Sequence, residues 1–237
     1  MLGAVALVIF PTSSCDDLFN CIDGNGVLKI EDRLVAEFYG VENRTSFNVE
    51  IYNDSQYMVR VTADENLLDE IQTTVRSGNL IVDVEGDRCL NSDKNITVEL
   101  HMPSIDYVDL SGSGDIDVVD FVCSRLEIYN SGSGDIDLTD IVSLSDAEIH
   151  LSGSGDVNIW GKAESADYTL SGSGDLYAKD FKLDNCKAEN SGSGDIYCYA
   201  SEYLNAILTG SGDIFYSGNP PVVNQVNKGS GTISKRN

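Results

Sequence analysis

The sequence predicts an all-β chain wound as a parallel β-helix, a solenoid with coils of about 20 residues, and three observations carry that expectation. The first is a motif. Ser-Gly-Ser-Gly-Asp stands at 111–115 and recurs at 131–135, 152–156, 171–175 and 191–195, then in altered form at 209–213 and 228–232. Its last residues, Asp115, Asp135, Asp156, Asp175, Asp195, Asp213 and Thr232, are separated by 20, 21, 19, 20, 18 and 19 residues. That period is too long for a heptad or a nonapeptide and fits one solenoid coil. The second is alternation. Ile116, Ile136, Val157, Leu176, Ile196 and Ile214 follow the aspartate directly, and Val118, Leu138, Ile159, Ala178, Cys198 and Tyr216 come two residues later. Upstream, Leu110, Asn130, Leu151, Leu170, Asn190 and Leu208 form another column of the same parity, as strands with one buried face require. The third is turn chemistry, with Asp120, Asp140, Gly161, Asp180 and Gly218 placing a second corner five residues after the aspartate.

Residues 1–15 form the first segment. An apolar run, Leu2–Phe10, leads through small residues to Cys15, the pattern of a bacterial lipoprotein signal whose cysteine becomes the lipidated first residue of the mature chain. The run is too short to cross a bilayer and has no basic stretch before it, so it reads as the end of a longer signal or, alternatively, as a short buried strand. Residues 16–105 lack the motif but are strand-rich: FNVEIYN, YMVRVTA, TTVRSGNLIVDVEG and NITVELHMP. They are expected to begin the same solenoid with less regular coils and to cap it, or else to form a separate small β domain. Within them only Asp64–Gln72 suggests a helical turn. Residues 106–237 carry the regular repeat, where each coil buries its inner face only by stacking on its neighbours. Pro220 and Pro221 discourage further strand pairing near the far end.

Along the motif, parity places both glycines on the inner side, with the two serines and the aspartate outside. Glycine permits a bend or a close backbone approach there, and Ser and Asp bond neighbouring backbone groups.

The balance of 39 Asp plus Glu against 15 Lys plus Arg gives a net charge of -24, which excludes nucleic acid and anionic lipid surfaces as partners. With Cys15 lipidated, five cysteines remain. Cys21 and Cys89 lie in irregular polar contexts and are the disulfide candidates, while Cys123, Cys186 and Cys198 fall on apolar positions and read as core residues. No CxxC occurs, so zinc of the usual spacing is unsupported.

The stretch FNVEIYNDSQYMVRVTADENLLDEIQTTVRSGNLIVDVEG, followed by ITVELHMPSIDYVDLSGSGDI and the repeated SGSGD coils, resembles the head GIN domain family, described as auto-transporter adhesins and common among Bacteroidota as lipoproteins. The likeness spans roughly Arg33–Ile233. It implies a right-handed β-helix exported to the cell envelope, periplasmic or surface-exposed on the outer membrane, and it carries over no catalytic residues.

Two candidate sites follow from the columns. Stacked carboxylates about 4.8 Å apart repel one another unless compensated. Either Ser and Gly groups bond them, or calcium sits among Asp115, Asp117, Asp135, Asp137 and Asp156, a set of hard oxygen ligands. Further along, Trp160, Tyr177, Tyr197, Tyr199 and Phe215 fall on outward positions of adjacent coils. They form an exposed patch for a carbohydrate or protein ligand, or a ladder that merely stabilises the sheet. Catalysis needs one asymmetric site with divergent pKa values, whereas these carboxylates recur identically. His101 and His150 sit in no triad or HExxH setting. The expectation is therefore a non-enzymatic binding or adhesion module held to the membrane only by lipid. The alternatives are a self-associating homo-oligomeric scaffold and a polysaccharide-active enzyme.

Overall fold

The computed structural model describes residues 21–236. Among the described residues strand makes up 59% and no α-helix occurs, and the architecture is a β-solenoid of about six turns. Parallel pairing in register builds the stack. One file of apolar residues runs Val98, Val49, Ile116, Ile136, Val157, Leu176, Ile196, Ile214 and Ile233, each paired with the next. On the adjoining wall a second file runs Leu80, Val41, Val108, Ile128, Ile149, Tyr168, Ala188 and Ala206. Nearly all these residues are fully buried and belong to one continuous core reaching from Phe38 to Ile214. Tyr168 fits because the next two members of its file are alanines, so a large side chain meets small neighbours.

Residues before 106 join the same sheet but in an order the sequence does not announce. The coil holding Gly40–Asn43 and Asn48–Asn53 lies between the repeat coils and the coil holding Asn79–Val84 and Thr97–Met102. Antiparallel strands then close that end: Leu28–Arg33 on Met58–Asp64, Met58–Asp64 on Thr97–Met102, and Ile71–Arg76 on Asn79–Val84. The helical turn expected over Asp64–Gln72 is a single 3-10 turn, Leu68–Glu70. Cys21 and Cys89 are joined in a disulfide, beside a short parallel pair of Ile22–Asp23 with Leu90–Asn91. At the far end, strand pairing resumes directly after Pro221: Val222–Asn227 lies parallel to Tyr203–Leu208. The prolines occupy the turn before it, where no ladder N–H is needed.

The second corner forms where the turn residues predict it. Asp120 and Asp140 adopt left-handed backbone, φ 63° and 57°, a conformation short polar side chains tolerate. Gly161 and Gly218 take positive φ at the equivalent points of later coils.

Candidate functional site

The motif corner is a device for stacking coils. A Cβ built on Gly132 would lie 2.0 Å from the carbonyl oxygen of Gly112, one on Gly153 2.0 Å from that of Gly132, and one on Gly172 2.1 Å from that of Gly153. The missing side chains thus point along the stack into the preceding coil. The motif serines are exposed and the glycines more buried, as parity predicts, and of the two reasons expected for glycine, a bend or a close backbone approach, these distances give the close approach.

The aspartates close the same corner. The Asp115 carboxylate accepts the backbone N–H of Asp135 (3.0 Å), Asp135 that of Asp156, Asp156 that of Asp175, Asp175 that of Asp195, and Asp195 that of Asp213, the last four at 2.7 Å. Asn48 supplies the first acceptor, for the Asp115 N–H, and Asp213 ends the chain of bonds on Thr232. Each carboxylate therefore has an amide hydrogen between itself and the next, which offsets the repulsion of stacked charges.

Beside that file runs the second acidic column. Asp117 pairs in register with Glu50 on one side and Asp137 on the other, and Asp137 with Asn158. Burial, then the neighbouring carboxylates of Asp137 and Glu50, pushes the Asp117 carboxyl above its ordinary range. Burial likewise raises Asp137 against the hydrogen bond from Asn158. The five calcium candidates thus stand as two adjacent files. One oxygen of Asp115, Asp135 and Asp156 is already committed to an amide. Among the described residues no group of three or more His, Cys, Asp or Glu side chains is arranged to hold a metal ion.

The aromatic column forms a stack. The rings of Tyr177 and Tyr197 lie 5.0 Å apart and nearly parallel, and Phe215 follows 5.0 Å beyond, tilted by 33°. The Arg236 guanidinium covers Phe215 at 3.3 Å from the ring centroid, leaving Phe215 only 5% exposed. The tyrosine hydroxyls donate to the motif carboxylates of their own coils, Tyr177 to Asp175 (2.9 Å) and Tyr197 to Asp195 (3.3 Å). Facing a carboxylate, the Tyr177 hydroxyl is pushed up to about 12. Both faces of Tyr197 are occupied by its neighbours, so the open ring surface expected of Tyr177, Tyr197 and Phe215 is largely consumed by the stack itself. Tyr199 stands in the next outward column with the Lys182 ammonium 4.3 Å over its ring. Trp160 is 40% exposed and takes no part in the stack.

Next to the stack opens a cavity of about 450 Å³ lined by Lys179, Lys182, Tyr197, Tyr199, Tyr216 and Arg236, among others. A larger, shallow groove of about 770 Å³ follows the serine files, with Ser131, Ser133, Ser152 and Ser154 at one end and Lys228 and Ser230 at the other.

Residues 37–220 match the family described as "Putative auto-transporter adhesin, head GIN domain". The chain belongs to this family. Three solved structures superpose on the chain. A "putative adhesin" from Bacteroides fragilis NCTC 9343 gives a TM-score of 0.86 at 24% identity, covering 91% of this chain and 100% of the other. A "Putative lipid binding protein" from Parabacteroides distasonis ATCC 8503 gives 0.72 at 24% identity, with 91% and 99% covered. A "putative adhesin" from Parabacteroides merdae ATCC 43184 gives 0.67 at 22% identity, again with 91% and 99% covered. At such identities the likeness is one of fold. No curated protein matches the chain.

Two features of this head GIN domain escape the column reading. Asn130 and Asn190, placed in an apolar column, are fully buried and bridge the corner: the Asn130 amide donates to Gly134 O (2.9 Å) and Asp156 O (3.3 Å) while its oxygen accepts the Gly132 N–H (3.1 Å). Asn190 repeats these bonds three motifs later, and Asn43 makes the equivalent bond to Phe47 O (2.8 Å). The only signal was a polar residue recurring where leucine is the rule. A second ring ladder joins Tyr107, Tyr129 and His150, the last two stacked at 4.7 Å. The shared offset of Tyr129 and His150 from the motif pointed to it. Cys15 and the apolar run before it lie outside the described residues. Among the described residues no helix is long and apolar enough to cross a membrane.

Proposed function

We propose that the chain is a non-enzymatic adhesion module of the cell envelope, exported and anchored through lipid on Cys15, which holds carbohydrate at the cavity beside its last coils. The supporting observation is that cavity. It has the size of a ligand site and mixes tyrosine walls with a few convergent polar groups, features that binding pockets share. A binding rather than catalytic role is supported by the use made of the carboxylates. The repeated motif aspartates hold amides of the next coil, and Asp175 and Asp195 have their second oxygen taken by a tyrosine hydroxyl.

A glycan array tests the reading, with the wild-type chain compared against Tyr199→Ala, which removes a cavity wall, and Tyr177→Ala, which shortens the stack outside the cavity. Retention on a glycan class is expected for wild type and Tyr177→Ala, with a loss of about tenfold or more for Tyr199→Ala at an unchanged melting temperature. Equal retention by both variants would reject the cavity as the site. A second reading, self-association as an envelope scaffold, is favoured by Val222, Val223 and Val226, which are 48%, 37% and 42% exposed on one strand. Light scattering at rising concentration distinguishes it, since an adhesion monomer keeps a constant mass.

A further inference from the structure

We infer that the cavity recognises an acidic saccharide, a sugar ring carrying a carboxylate or sulfate group. This rests on the reading of the cavity as the binding site and adds the chemistry of its ligand.

Charge distribution is the first ground. The chain carries 39 acidic residues, yet none occurs from Ile214 to Arg236, a stretch that holds Lys228, Lys235 and Arg236. Around the cavity itself stand Lys179, Lys182 and Arg236 against a single carboxylate, Asp180. Most other arginines of the chain are already engaged. Arg125, for example, meets Glu127, Asp146 and Glu148, and Arg60 meets Asp32 and Glu99. At the cavity, Lys182 approaches Asp180 at 3.5 Å, whereas among the described residues neither Lys179 nor Arg236 lies within 4.0 Å of a carboxylate. Lys179 and Arg236 thus stand at the cavity without a paired carboxylate on a chain of net charge -24, a local positive excess that suits an anionic ligand.

Geometry is the second. The Arg236 guanidinium sits over the Phe215 ring, 3.3 Å from its centroid, and 6.0 Å from that of Tyr197. Held there, it loses hydration on one face while keeping its in-plane N–H donors, the fork that matches a carboxylate or sulfate through two parallel bonds. Lys182 is similarly fixed, over Tyr199 and donating to the Lys179 carbonyl at 2.9 Å. Ring stacking is the weaker route to a sugar here, because the faces of Tyr197 and Phe215 are covered. What the cavity offers is tyrosine edges and preset cations. Asp180 at the cavity is paired with Lys182 and Asp195 accepts the Tyr197 hydroxyl, while the acidic surface farther away repels such a ligand only weakly at physiological salt, where screening acts over about 8 Å.

Calorimetry in 150 mM NaCl on the full chain tests this with trigalacturonate, a sulfated heparin disaccharide and, as the neutral counterpart of the first, galactotriose. At least one acidic sugar is expected to bind about tenfold or more tightly than galactotriose. Arg236→Gln and, separately, Lys182→Gln are expected to weaken that sugar by about tenfold each, Lys182→Gln without moving the melting temperature. Lys179→Gln, at an exposed position, serves as a further charge-removing variant that leaves the rings untouched. Equal binding of trigalacturonate and galactotriose, lost in Tyr199→Ala, would overturn the acidic preference and leave the cavity reading standing. Binding of no sugar at all would end both. Capture by phosphatidylglycerol vesicles without binding of any sugar would also overturn it, assigning the cations to a lipid headgroup.

Discussion

At the scale of single residues, the buried asparagines show how this fold handles its tight corner. Asn130 fills a core column and closes the turn from within, whereas Leu110 and Leu151 fill the same column in the coils on either side with no polar contact. The Gly132 N–H that Asn130 accepts also donates to the Leu110 carbonyl, so losing the amide leaves that donor satisfied. The Asp156 carbonyl likewise also accepts the Ile136 N–H, so only the bond to the Gly134 carbonyl has no replacement, and packing outweighs that single bond at this position. Asn130→Leu is expected to stay within about 1 kcal/mol of wild type, while Asn130→Ala, which opens a cavity as well, costs about 2 kcal/mol. Urea titration followed by circular dichroism measures both. A leucine variant as damaged as the alanine one would mean that the amide bonds hold the corner and not the filling of the column. Sequence reading assigns the column correctly but cannot foresee the bonds, because the partners of Asn130 are backbone atoms that reveal themselves only once the turn is wound.

Between elements, what matters is how near one coil lies to the next. The pairs beside the motif, from Ile116 to Ile214, follow from counting along it, since a fixed period and a buried parity leave one register open there, whereas the register shifts past the second corner, where Ile141 rather than Asp140 pairs with Gly161, do not. The order of the first coils does not follow. The coil around Asn43 and Asn53 is inserted between two later segments, and nothing local in those strands states which neighbour each will meet. The column of Tyr177, Tyr197 and Phe215 was legible as a column, whereas its capping by Arg236 depended on where the chain passes beyond Ile233. Inter-coil distance also yields the sharpest mutational contrast. In Gly153→Ala the new Cβ would meet only backbone of the preceding coil, at 2.0 Å from Gly132 O and 2.8 Å from Ser131 C, so neither coil can yield by turning a side chain. A cost of about 3 kcal/mol or more is expected, against less than about 0.5 kcal/mol for the adjacent, exposed Ser154→Ala. Thermal melts of the pair check this, and a well-tolerated Gly153→Ala would show that the coils are spaced more loosely than the structure has them.

Over the whole molecule, the repeat fixes charge as firmly as it fixes shape, and stability should therefore depend on pH in a definite sense. Burial raises the carboxyls of Asp106, Asp109, Asp117, Asp137 and Asp156 above the ordinary 3.8. A carboxyl raised on folding binds its proton more tightly in the folded chain. The cost of keeping it charged is thus present at neutral pH and is relieved as pH falls through the raised folded values. An opposing set is lowered: Glu148 by the hydrogen bond from His150 and then by Arg125, and the fully exposed Asp32 by Arg60. Their contribution holds at neutral pH and is lost only as pH drops below the ordinary carboxylate range, and for exposed Asp32 solvent screening keeps it small. The first set acts at higher pH than the second. The melting temperature is expected to rise as pH falls from 7.5 through the raised folded values and to fall once pH drops below the ordinary carboxylate range. Added monovalent salt should raise it at pH 7.5 more than at pH 5, because the repulsion being screened has already been reduced by protonation. Asp117→Asn, which removes the charge between Glu50 and Asp137, should raise the pH 7.5 value and shrink the gain on acidification. Calorimetric scans across this range decide the matter: a melting temperature that only declines from pH 7.5 to pH 5 would show that the buried acidic file is not under electrostatic strain.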